Sequence, residues 1–118
     1  MKLYNYGKFP EGISYTYGDI CELENDYNFD LLKDFDEVYY WYASAPYEGL
    51  GGLIGLLKGK WYMHSMGHCS CYGPLEHLEI NEQNAYYSLE ELKNACSSDL
   101  LIEVAPLIEM AIQNREKQ

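Results

Sequence analysis

Glu37-Val38-Tyr39-Tyr40-Trp41-Tyr42-Ala43-Ser44-Ala45, stopped by Pro46, is dense in aromatic and β-branched side chains and reads as a β-strand. Such side chains suit a pleated, packed surface, whereas proline has no N–H to add to a ladder. Downstream, Gly49-Leu50-Gly51-Gly52 reads as a mobile turn. Leu53 to Leu57 and Lys60 to Met66 then flank Lys58-Gly59, a two-residue connection of the kind that closes a hairpin. The expectation is a small antiparallel sheet of about three or more strands, with Trp41 and Trp61 on or near its packed face.

Beyond this sheet the hydrophobic period changes. Ser88-Leu89-Glu90-Glu91 is a capping box: the Ser88 hydroxyl can accept a first-turn N–H while Glu91 reaches back. A short helix to about Cys96 follows. Ser97 or Ser98 can cap a second helix, in which Leu100, Leu101, Val104, Leu107, Ile108, Ala111 and Ile112 recur at three-to-four spacing. That stripe is core packing. Pro106 lacks an N–H and is expected to kink or split this helix.

Strands followed by helices predict an α+β fold with the C-terminal helices packed on one sheet face. Upstream, the Tyr- and Gly-rich opening predicts short strands or an irregular lid. Asp26 to Lys33 predicts a short helix capped by Asp26 or Asn28. At 118 residues, without a long linker or internal repeat, residues 1–118 read as one domain.

Composition narrows the function classes. No apolar run reaches about 18 residues, which excludes a membrane-spanning helix, and the opening residues lack a signal-peptide pattern, so a cytoplasmic protein is expected. Nineteen acids face eight bases, for a formal charge of -11. Nucleic-acid binding needs clustered Lys and Arg to displace counterions from phosphate, so direct contact with nucleic acid or an anionic membrane is not expected. A basic protein partner is. Between Lys8 and Lys58 the only base is Lys33, among Asp19, Glu22, Glu24, Asp26, Asp30, Asp34, Asp36 and Glu37. Aromatics are threaded through this run, and tyrosine supplies contact area at small entropic cost. The bland alternative is an acidic intracellular protein whose charge serves only solubility.

All three histidines and two of the four cysteines fall between His64 and His77. Zinc takes four N or S ligands in a tetrahedron, and the bends at Gly67, Gly73 and Pro74 can fold near neighbours onto one ion. Cys69 and Cys71 share a face in an extended chain. The expected ligands are His68, Cys69, Cys71 and His77, with His64 and Cys21 in reserve for the fourth position. Thiolate plus imidazole favours a structural zinc. A thiolate activated by His64 or His68, or a zinc hydrolase with Glu76 as base, would make the chain an enzyme. No nucleophile orienter or oxyanion-hole motif accompanies the cluster, so a non-enzymatic role is expected. Reduced cysteines beside incidental histidines are the remaining alternative.

Trp61-Tyr62 followed by Gly67-His68-Cys69-Ser70-Cys71-Tyr72-Gly73-Pro74 resembles small acidic proteins of phages and prophages. The resemblance spans roughly Glu37 to Glu79 and rests mainly on that one motif. It implies an anti-CRISPR protein: a zinc-containing inhibitor that binds a type II CRISPR effector nuclease in the bacterial host cell and blocks DNA targeting. That nuclease holds its guide–target duplex in a basic channel. The matching contact set lies in the early acidic segment, with Asp26, Asp30, Asp34 and Asp36 as charges and Tyr27 as aromatic anchor.

Overall fold

A computed structural model describes residues 1–14, 18–69 and 73–117, except for the side chains of His68 and Cys69. The expected strand over Glu37–Ala45 is β3, and it is central: β1 (Lys2–Asn5) and β2 (Asp19–Ile20) pair with its two halves along one edge. β4 (Glu48–Leu57) lies on its other side, followed by β5 (Lys60–Ser65) and β6 (His68–Cys69), which pair with different parts of β4. Among the described residues only β1 runs parallel to its neighbour, and the other pairings are antiparallel. The β4–β5 hairpin closes at Lys58-Gly59, both at positive φ, as the twist of a two-residue turn requires.

One expectation fails here: Gly49 to Gly52 is no turn but the first half of β4. These glycines serve close approach. A Cβ on Gly52 would stand 3.0 Å from the Glu103 carbonyl oxygen, and one on Gly55 would meet the Phe35 ring at 2.6 Å. The strand is glycine-rich because structure presses on both its faces.

Every residue from Val38 to Ala43 is buried, as when a sheet is covered on both sides. Val38, Tyr40 and Tyr42 pack with Leu23, Leu32, Phe35 and Leu75 on one face. Tyr39, Trp41 and Ala43 pack on the other face with Trp61 and the two helices, α1 (Leu89–Ala95) and α2 (Ser98–Glu116). The α+β fold with helices on one face is therefore as expected, and a covering layer from residues 21–36 and 73–78 is added on the other face.

The helix signals act close to their predicted positions. Ser88 Oγ accepts the Glu91 N–H at 3.0 Å, while Glu91 reaches back to the N–H of Tyr87, one residue beyond the usual box partner. Ser97 caps α2 by accepting from Leu100. Val104, Leu107, Ile108 and Ala111 form its buried stripe. α2 runs on through Pro106, so the expected split does not occur. Packing of the flanking stripe outweighs the one hydrogen bond that proline deletes.

A polar knot ties the end of α2 to the start of β3. Glu37 accepts from Arg115, Asn114 and the Tyr39 hydroxyl, and the Arg115 guanidinium lies 5.2 Å above the Trp61 ring centre. Burial raises the Glu37 pKa, but Arg115 and the other donors outweigh it and hold the carboxyl below its ordinary value. Burial, with the hydrogen bond to Glu37, pushes the Tyr39 hydroxyl well above its ordinary range.

Candidate functional site

The layer over the non-helical face is built from the acidic segment. Residues 21–36 contain two short 3-10 helices, Leu23–Asn25 and Phe29–Leu32; the second is the short helix expected within Asp26 to Lys33, with Asn28 at its N-cap position. Asn28 makes no side-chain cap; Asp26 Oδ2 accepts the Asn28 N–H at 3.0 Å and holds the turn between the two helices. Only three side chains of the segment, Leu23, Leu32 and Phe35, are buried completely or nearly so, and they dock onto the sheet. Three anchors keep the backbone in place. The Tyr40 hydroxyl accepts the Leu23 N–H at 3.1 Å and donates to Glu24 at 2.8 Å. Cys21 N–H donates to the Tyr42 carbonyl and Asp36 N–H to the Leu56 carbonyl, both at 2.8 Å. Burial, together with the Glu24 acceptor, pushes the Tyr40 hydroxyl well above its ordinary range, so it remains a neutral donor.

With the apolar side chains turned to the sheet, the acids go outward. Glu22, Glu24, Asp30, Asp34 and Asp36 are exposed, and Asp26 is half-buried in its turn. Tyr27 is 80% exposed. It is nevertheless positioned, because its hydroxyl donates to Glu76 at 3.2 Å, and Asn28 Nδ2 donates to the same oxygen at the same distance. Exposed Leu31 adds an apolar point, and Lys33 is the one base of the segment. Exposed carboxylates and a hydrogen-bonded aromatic side chain are groups that can pair with a cationic surface.

Glu76 is the residue that sequence reasoning assigned elsewhere. The candidate base beside zinc, it also braces Tyr27 from 49 positions away. No local signal reports such a contact. A signal for the layer itself does exist, since the uninterrupted apolar run of β3 calls for cover on two faces.

The expected metal ligands divide. His68 and Cys69 form β6, their backbones paired with Gly49 and Glu48, while Cys71 lies outside the described residues. His77 is exposed and lines a cleft of about 280 Å³ together with His64, Glu79 and Tyr86. His64 is held by its Nε2 against the Pro74 carbonyl at 2.7 Å. A carbonyl only accepts, so Nε2 carries the proton and Nδ1 keeps the lone pair. Burial lowers the His64 pKa, and the neighbouring His77 lowers it further against the pull of Pro74. The structure thus brings His64 and His77 to one cleft beside the Gly73-Pro74 bend.

Cys21 is remote from them. It follows β2 on the opposite edge of the sheet, donating to the Asp19 carbonyl, about 14 Å from β6 across three strand spacings. Cys96 is half-buried against Met63 and the Leu92 carbonyl, and burial raises its pKa, which disfavours thiolate. Among the described residues, no three His, Cys, Asp or Glu side chains are grouped to hold a metal ion. Among the same residues, no helix is long and apolar enough to cross a membrane. No protein-family model, curated protein or solved structure matches this chain.

Proposed function

We propose that this chain is a binding protein that inhibits a basic protein partner, using the acidic layer of residues 22–36 to occupy a groove meant for polynucleotide. The observation that carries the reading is the sorting of side chains in that layer. Leu23, Leu32 and Phe35 are consumed by the sheet, so the carboxylates and Tyr27 are presented together on its outer surface. Carboxylates along a rigid surface offer a cationic groove a field like that of a phosphate backbone, and the ring supplies the desolvated contact that usually dominates binding energy. Asp26, Tyr27, Asp30, Asp34 and Asp36 form the proposed contact set, and Glu76 holds Tyr27 in place.

The resemblance of the Gly67 to Pro74 motif makes the proposed partner a type II CRISPR effector nuclease in the cytoplasm of a bacterial host, and the chain an anti-CRISPR protein of a phage. A structural zinc on His68, Cys69, Cys71 and His77 belongs to the same proposal, with His64 as the alternative imidazole because it shares the His77 cleft. The metal would pin the loop after β6 to the layer that carries Glu76.

The test is DNA cleavage by a type II nuclease with and without the protein. Cleavage should fall in proportion to added protein, and the double charge reversal Asp30→Lys/Asp34→Lys should weaken inhibition at least tenfold, most clearly at low salt. Undiminished cleavage at saturating protein removes the nuclease as partner. Elemental analysis of protein prepared without chelators should find one zinc per chain, and Cys69→Ser should lower zinc content and melting temperature together.

A further inference from the structure

The opposite side of the molecule carries a different surface. Helix α2 buries Val104, Leu107, Ile108 and Ala111 against the sheet, but its neighbouring stripe is only partly covered. Leu101, Ala105 and Pro106, with Tyr6 from the N-terminal segment, floor a groove of about 630 Å³. Across Ile102, which is 36% exposed, lies a second hollow of about 250 Å³ formed with the turn at Gly12.

The charged side chains that line these hollows are carboxylates. Glu11 and Glu109 line the first, Asp99 and Glu103 the second, and among the described residues no Lys, Arg or His lines either. The ion pairs among the described residues, Lys60–Glu82 and Arg115–Glu37, involve none of these four carboxylates. Lys8 lies 5.2 Å over the ring of Tyr6, which lines the first hollow. Burial raises the Glu103 pKa, and the charge of Asp99 raises it further against a hydrogen bond from Ser65: the local field calls for a cation.

We propose that this face docks an amphipathic basic segment of a protein partner. An apolar side chain of that segment sits over Ala105 and Pro106, and flanking lysines or arginines meet Glu11 and Glu109 at one hollow and Asp99 and Glu103 at the other. Apolar anchors framed by cations match an apolar groove framed by carboxylates, which is the helix-in-groove mode of recognition. The surface belongs to the helical face of the sheet, so it operates independently of the acidic layer on the other face.

The probe is a fluorescein-labelled peptide of leucines and lysines at helical spacing, measured by anisotropy at physiological salt. A lysine-only peptide of equal charge is the control. The leucine-bearing peptide should bind at least tenfold more tightly than the control. Ala105→Glu should weaken that binding at least tenfold, and Glu109→Lys severalfold, with helical circular dichroism unchanged. Ile102→Ser, at a more exposed position, should weaken it severalfold and stands in if Ala105→Glu perturbs folding. Asp30→Asn/Asp34→Asn should leave it within twofold. Equal binding of the two peptides overturns the proposal, as does loss through the Asp30 and Asp34 variant alone. A dimer of the free protein that Ile102→Ser dissolves would make a second copy the occupant and overturn it too.

Discussion

The two faces of the central sheet are covered by opposite strategies. On one, two capped helices bring a repeating apolar stripe against Trp41 and Trp61. On the other, sixteen residues with little regular structure, 21–36, reach the sheet through Leu23, Leu32 and Phe35 and otherwise present carboxylates. The helical face satisfies its backbone internally and adds caps. The acidic layer relies on 3-10 turns and on borrowed partners such as the Tyr40 hydroxyl. A layer made this way can carry like charges close together, because its place is set by a few apolar anchors and not by favourable pairing among its surface groups.

This contrast can be broken first at Trp41, whose indole is buried and donates to the Glu103 carbonyl at 2.8 Å. Trp41→Ala should cost about 3–5 kcal/mol in urea unfolding, through the cavity and the lost donor. A loss below about 1 kcal/mol would mean that the helical face is not the main anchor.

Leu32→Ala comes next. It should cost about 2–3 kcal/mol, toward the lower end for a buried leucine, because irregular turns can settle into the gap. Hydrogen exchange should accelerate most in residues 23–35 and least in α2. Uniform acceleration would show the two coverings to be one cooperative unit.

Glu37→Gln tests the knot on the helical side and should cost about 1.5–3 kcal/mol at neutral pH, the range for hydrogen bonds to charged groups. Its pH dependence has a definite sign. The folded carboxyl titrates below its ordinary value of 4.5, so its stabilisation is present above that pH and lost as pH falls through the lower, folded value. The variant should therefore lose less stability on acidification than the parent. An identical acid limb would place the acid sensitivity elsewhere. The smallest effect belongs to Ser88→Ala, about 1 kcal/mol from loss of the cap on α1, read as a shift of the urea midpoint with unchanged slope.

Much of the helical face was legible in advance because its signals are local. The Ser88 box, the Ser97 cap and the stripe through Val104 and Ala111 each lie within a few residues of what they determine. The hairpin at Lys58-Gly59 was legible for the same reason. Gly49 to Gly52 misled, since a glycine-rich run signals a turn unless another backbone presses close, and here Glu103 does, from fifty residues away. The acidic segment showed its charge but not its disposition. Its 3-10 turns have no strong period, and the bracing of Tyr27 by Glu76 leaves no trace in spacing.

What the chain by itself determined is the order of strands and helices, the caps, the turn between β4 and β5, and a surplus of negative charge. Periodicity, capping and net charge are properties of near neighbours or of simple sums. Only the tertiary structure decided which segments cover the two faces of the sheet, that the carboxylates of the early segment are left exposed, that His64 and His77 meet in a cleft, and that an apolar groove opens beside Pro106. Each of these depends on which distant segments meet, and that is settled by packing the whole set of apolar side chains at once.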